Sequence, residues 1–145
     1  MIAAPLSGRC LCGAARFVAT PEKMSMDACH CSMCRRWGGG PAMTVFCTDV
    51  RFEDENAVGI YVSSEWAERG FCKTCGSSLF WRTHDQKMFT VSAHAFDNPE
   101  QFPFEVEIFI DEKPSNYAFA NPTQKMTGAE VAAAFADIGG ADDHG

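Results

Sequence analysis

The chain has 145 residues, 46% of them hydrophobic, and a formal net charge of −7. That length suits one domain with a real core, and the acid excess repels phosphate backbones, so nucleic acid is disfavoured as a partner. The longest unbroken apolar run, Val131 to Ala136, is far too short to span a membrane, and Met1 to Leu6 lacks the charged start and apolar core of an export signal. A cytoplasmic protein without membrane attachment is therefore expected.

Short strands dominate the expected elements. Leu6 to Cys12 and Ala14 to Ala19 read as the first two, with a turn at Thr20 to Lys23. Met24 to Cys31 is extended. Arg35 to Pro41, with glycines at 38, 39 and 40, reads as a loop that can approach a ligand closely. Ala42 to Thr48, Val50 to Glu53 and Ile60 to Ser64 are strand-like, whereas Glu65 to Phe71 is ambiguous. Ser77 to Thr83 and Lys87 to Ala95 form a predicted hairpin across His84-Asp85-Gln86. In Phe104 to Ile110 the apolar residues Phe104, Val106, Ile108 and Ile110 alternate with Glu105 and Glu107, which predicts a strand with its acids on the opposite face. Thr127 to Asp137 is the one predicted helix: Thr127 caps it, Glu130 completes a capping box, and Gly139 and Gly140 end it. Ala141 to Gly145 reads as a flexible tail.

Eight cysteines carry the chemistry. Their spacings, C-x-C, C-x-C-x-x-C and C-x-x-C, bring thiols too close in sequence for ordinary stapling of loops, and point to metal in a reducing compartment. A redox role for Cys72-Lys73-Thr74-Cys75 competes, but the strand-to-helix setting of such a motif is missing. Cys10 and Cys12 share a face of a strand, and the Cys72-to-Gly76 turn aims two more thiolates, which together make a tetrahedral Cys₄ site. Cys29, Cys31 and Cys34 then form a second group of three with no obvious fourth ligand, as in a metal site with an open position. Two alternatives stay open: Cys10 and Cys12 grouped with Cys29 and Cys31, or the Cys29 group as merely buried thiols.

Other candidates carry two readings each. Cys47, alone in an apolar strand, fits a buried inert thiol better than a catalytic one. His30 sits inside the second cluster but faces away from its sulfurs if the stretch is extended, as a supporting donor or a core histidine. His84 reads as a solvated turn residue, and His94 as a satisfied half-buried histidine. Arg35 and Arg36 either offset thiolate charge and grip a substrate carboxylate or are simply solvated. Trp37, Trp66 and Trp81 read as core or pocket walls.

Three stretches carry a resemblance: Gly8-Arg9-Cys10-Leu11-Cys12-Gly13, Cys29-His30-Cys31-Ser32-Met33-Cys34-Arg35-Arg36, and Phe71-Cys72-Lys73-Thr74-Cys75-Gly76-Ser77-Ser78-Leu79-Phe80. In these the chain resembles the glutathione-dependent formaldehyde-activating enzyme family, which includes centromere protein V relatives. The resemblance runs from about Leu6 to Pro114. It implies residues 1–145 as a single zinc-binding domain, mainly β, of the β-tent type, with short antiparallel strands and one C-terminal helix. It implies two zinc ions: a structural one on Cys10, Cys12, Cys72 and Cys75, and one at the active site on Cys29, Cys31 and Cys34. It also implies a carbon–sulfur lyase-class reaction between glutathione and formaldehyde, giving S-hydroxymethylglutathione. The expected catalytic group is thus Cys29, Cys31, Cys34 and Arg35, with a small thiol such as glutathione as partner. Thiolate delivery is favoured over carbonyl activation, because three thiolates make zinc a weaker Lewis acid than neutral histidines do. The competing class is a non-catalytic zinc-stabilised binding module with both metals structural. A homodimer stays open.

Overall fold

The computed structural model describes residues 4–135. Ten strands join in one sheet: β1 (Leu6–Arg9), β2 (Arg16–Pro21), β3 (Met26–Cys29), β4 (Ala42–Phe52), β5 (Val58–Val62), β6 (Ala67–Cys72), β7 (Ser78–Thr83), β8 (Phe89–Ser92), β9 (Phe104–Ile108) and β10 (Gln124–Met126). The main path runs β10-β9-β3-β4-β8-β7-β6-β5, and β2 pairs with β4 and carries β1 beyond it. This is the mainly β architecture expected. Two features differ from a set of short antiparallel strands. The pairs β3–β9 and β9–β10 are parallel. The two strand-like runs after Pro41 merge into one strand of 11 residues.

That strand is the spine of the sheet. Ala42 to Thr44 pair with β3, Thr44 to Cys47 with β8, and Cys47 to Phe52 with β2. Its Val45, Phe46, Thr44 and Val50 suit a pleated surface with one packed face, and the inward residues Val45 and Cys47 are sealed. The core beneath is a chain of phenylalanine rings. Phe17 lies 5.7 Å from Phe52 and 5.3 Å from Phe96, and Phe80 lies 5.7 Å from Phe52 and 5.4 Å from Phe89. Tilted and edge-on pairs of this kind add about 1 kcal/mol each beyond their burial.

Two helices are described, where one was expected. The first, α1 (Ser32–Gly38), occupies most of the stretch read as a glycine loop. Cys31 is its N-cap and accepts the Cys34 amide, while the Glu112 carboxylate accepts the Ser32 amide at 2.9 Å. Two orphan donors of the first turn are thus satisfied, one of them from 80 residues away. Gly39 ends the helix in the left-handed region at φ 83°, so the glycine run supplies the stop and not the whole segment. The second, α2 (Gly128–Phe135), starts as anticipated: the Thr127 hydroxyl accepts the Glu130 amide and the Glu130 carboxylate accepts the Thr127 amide. Its expected end and the expected tail lie outside the described residues.

The hairpin across His84 to Gln86 forms, with Gln86 at φ 61°. The alternation in β9 also forms, but one acid is misplaced by it. Glu105 is exposed, whereas Glu107 is buried, because residues 113–126 fold back over that face and place Tyr117 and Thr123 around it.

Gly70 in β6 lies so close to the buried Phe80 ring that a Cβ would fall 2.2 Å from its Cζ. Gly70→Ala should cost about 2 kcal/mol by overpacking, read as a lower urea midpoint with an unchanged slope. An unaltered midpoint would show that the ring can yield.

Candidate metal centre

The first thiol cluster is built by two turns of the same design. Cys10 leaves β1 and Cys12 follows in the turn, where the Ala15 and Ala14 amides donate to their sulfurs at 3.3 and 3.5 Å. Cys72 ends β6, and the Cys75 amide donates to its sulfur at 3.5 Å. Gly13 and Gly76, each one residue past a thiol, take φ of 85° and 80°. That backbone turns amides toward sulfur and is strained for any residue with a Cβ. The Leu11 amide donates to the Ser77 hydroxyl, tying the turns together.

The four sulfurs of Cys10, Cys12, Cys72 and Cys75 lie within 4.8 Å of one another. Cys10 to Cys12 is 3.6 Å and Cys12 to Cys72 is 3.8 Å. A tetrahedron with Zn–S bonds of about 2.3 Å has edges of about 3.8 Å, so the sulfurs already stand at the spacing that zinc would demand. The donor set is all thiol, as in closed structural sites. Ionisation is uneven across it. The Ser77 hydroxyl and amide pull Cys75 down to about 5, whereas Cys12, despite the Ala14 amide, is pushed up to about 11 by desolvation and its thiol neighbours. All four carry negative charge together only with a cation among them, which is the reason such a site takes up metal against protons.

The second cluster gathers Cys29 at the end of β3, Cys31 at the helix cap and Cys34 one turn into α1, again within 4.8 Å. No other His, Cys, Asp or Glu among the described residues joins the three. The grouping is therefore four and three, not Cys10 and Cys12 with Cys29 and Cys31. Hydrogen bonds from Cys29 and Cys31, and then the charge of Arg69, hold Cys34 down to about 3 despite burial. The same bonding and burial push Cys29 far above the usual thiol range. A cation among the three sulfurs would favour their ionisation together.

Arg69 escaped the sequence reading. It sits in β6, buried, with two guanidinium nitrogens 3.8 and 3.9 Å from the Cys34 sulfur and its plane over Trp37. The available signal was period two: Ala67 and Arg69 share the inward face of the ambiguous Glu65-to-Phe71 stretch. The same rule places Asp27 on the face of Cys29. Its carboxyl, pushed up to about 6 by burial, lines the same cavity as Cys29, Cys34 and Arg69. That cavity measures about 300 Å³ and takes Trp37, Trp66 and Trp81 as walls. His94, expected to be half-buried, is exposed at the cavity rim.

Arg35 approaches the cluster from outside the cavity, donating from Nε to the His30 carbonyl at 2.9 Å. His30 does face away from the sulfurs. Its Nε2–H donates to Glu107 at 2.8 Å, and its Nδ1 lies 2.8 Å from the Tyr117 hydroxyl. Burial works against the Glu107 charge, but hydrogen bonds from Thr123 and His30 outweigh it and lower its pKa. Cys47 is sealed, and burial pushes its thiol up to about 12. His84, read as a solvated turn residue, is exposed but lies against Glu68, with Nδ1 2.8 Å from the carboxylate.

Two outcomes follow from these contacts. Glu107→Ala should cost about 2 kcal/mol by stranding the buried His30 donor, and should release metal from the Cys29 trio before the Cys₄ cluster; urea melts with metal analysis check both. Cys72→Ser breaks the closed cluster, worth on the order of 10 kcal/mol of folding free energy when loaded, and should leave an unfolded or insoluble chain. Cys31→Ser should stay folded and lose one metal equivalent. Equal losses of thermal stability would refute that division of labour.

Residues 5–112 match the family described as glutathione-dependent formaldehyde-activating enzyme. A Schizosaccharomyces pombe protein described as an uncharacterized lyase is 40% identical over 126 residues, which are 86% of this chain and 92% of that one. A Halomonas elongata protein assigned the name of glutathione-dependent formaldehyde-activating enzyme is 31% identical over 85 residues, 52% of this chain and 54% of its own. The crystal structure of a Rhodobacter sphaeroides protein superposes with a TM-score of 0.57 at 23% identity, covering 68% of this chain and 99% of that one, which is a likeness of fold. With the family's match spanning most of the chain and carrying both thiol clusters, the protein belongs to the glutathione-dependent formaldehyde-activating enzyme family.

Proposed function

We propose that the protein is a zinc-dependent carbon–sulfur lyase-type enzyme that joins and splits a small thiol and an aldehyde, as in S-hydroxymethylglutathione formation from glutathione and formaldehyde. The observation that carries this reading is the second cluster: three converging sulfurs and, among the described residues, no fourth donor, with Cys29 and Cys34 opening onto a cavity of about 300 Å³. A catalytic zinc site keeps such an open position. On this reading Cys10, Cys12, Cys72 and Cys75 hold a structural zinc, and Cys29, Cys31 and Cys34 hold the second. Bound there, zinc would lower the pKa of an incoming thiol and favour its delivery as thiolate.

The chain's own residues supply the rest. Arg69 lies against Cys34 and offsets the charge of the thiolate trio, so an anionic sulfur can approach. Asp27 stands in the cavity on the side of Cys29, where its carboxylate accepts the thiol proton and returns it to the oxygen of the former aldehyde. The balance is simple: an S–C bond forms, the C=O double bond becomes C–OH, and the thiol hydrogen ends on that oxygen. The aromatic walls line the space beside the reacting atoms. Arg35, Glu107 and Glu112 act from outside, holding the 29–35 segment in place.

Purified without chelator, the protein should carry two zinc ions per chain. Exchange spectroscopy with glutathione and formaldehyde should show adduct formation faster than in buffer. Asp27→Asn should lower kcat about a hundredfold with metal content unchanged. Fully loaded protein that neither binds a thiol nor raises the rate would sink the enzyme reading and leave a zinc-held binding module.

A further inference from the structure

A one-carbon aldehyde is about the size of a water molecule, about 30 Å³. It would fill a small corner of a cavity of about 300 Å³. What fills the remainder must match walls made by Trp37, Trp66, Trp81, Phe46, Phe109 and Phe135. These come from separate elements: α1, β4, β7, α2, and the segments before β6 and after β9. Trp66 and Trp81 stand edge to face at 5.3 Å, presenting ring faces and edges to the space between.

Charge in this cavity is scarce. Among the described residues Arg69 is the one guanidinium lining it, and its nitrogens already face the Cys34 sulfur. Asp27 is the one carboxylate among them. Glutathione seated wholly in this space would bring two carboxylates and an ammonium to a lining whose remaining polar side chains are Thr44, Ser78, Thr90, Ser92 and the rim residue His94, and a carboxylate among rings with only such partners is disfavoured. A flat apolar group gains instead, both by leaving water and by edge and face contacts with indole and phenyl walls. The space is ample: an apolar protein cavity of about 150 Å³ takes up benzene.

We infer that the site takes a thiohemiacetal in which the thiol or the aldehyde carries a ring-sized apolar group, with the C–S bond at the Cys29, Cys34 and Arg69 end and the ring among the tryptophans. This rests on the lyase-type reading for its chemistry and departs from it in the substrate. The reaction keeps the same balance: a thiol adds across the carbonyl, its hydrogen passes to the oxygen, and nothing is oxidised or reduced.

The test uses the zinc-loaded full chain and three reactant pairs: benzyl mercaptan with formaldehyde, glutathione with benzaldehyde, and glutathione with formaldehyde. Exchange spectroscopy gives kcat/KM for each. In parallel, benzyl alcohol, which cannot undergo the reaction, is titrated against tryptophan fluorescence. Ala132→Trp fills the cavity from α2, and Thr90→Lys places an ammonium in it from β8; circular dichroism verifies that at least one is folded. The inference expects one ring-bearing pair to exceed glutathione with formaldehyde by tenfold or more, and the arm that wins tells which half carries the ring. It also expects benzyl alcohol to alter the fluorescence, with affinity at least tenfold weaker in a folded variant. A preference for glutathione with formaldehyde, and no response to benzyl alcohol, overturns the inference and leaves the lyase reading intact. Benzyl alcohol binding that the variants weaken, with no pair accelerated, keeps the apolar ligand class and removes the lyase reading. Neither binding nor turnover removes both.

Discussion

Four sulfurs from two ends of the sheet cannot share a space 4.8 Å across as thiolates unless a cation sits among them. The rest of the arrangement hangs on that constraint. It pins the turn after β1 to the turn after β6, two segments joined by no strand pairing of their own. With those turns fixed, β6 is anchored at its end, and Arg69, three residues before Cys72 on the same strand, is anchored with it. The guanidinium that meets Cys34 is thus positioned by the neighbouring cluster. Structure at one set of thiols becomes electrostatics at the other.

The second trio is held differently. Its own segment is short and turns from strand to helix within three residues, which leaves little local structure to aim three side chains. The support comes from the neighbouring strand β9, the turn after it, and α1 itself. Glu107 holds the His30 ring, Glu112 holds the first turn of α1, and Arg35 closes back on the His30 carbonyl. Such outer contacts fix the orientation of would-be metal ligands and commonly matter as much as the ligands themselves. They also leave the cavity side free, since Arg35, Glu107 and Glu112 do not line it, whereas Asp27 and Arg69 do.

The thiol partition was legible because C-x-C and C-x-x-C-G carry their geometry in local spacing, and the capping box of α2 was legible for the same reason. The alternation of β9 was legible as a strand but not as a buried acid: Glu107 is enclosed by Tyr117 and Thr123, from a segment without periodicity. The helix α1 was hidden because its N-terminal donor is satisfied by Glu112, 80 residues away. Arg69 was hidden because its partner, Cys34, belongs to another element. Local rules reveal what neighbours in sequence decide, and the charge partner of a cluster is decided by topology.

The parallel pairing of β3 with β9 has a consequence for how the chain is made. Cys29, Cys31 and Cys34 leave the ribosome well before Phe104–Ile108, the strand that completes their support. At about 10 residues per second, several seconds pass with three adjacent thiols lacking their shell. The Cys₄ group can close as soon as Gly76 has emerged. The two thiol groups therefore complete their surroundings at different times, the Cys₄ group first and the trio only once β9 has joined β3.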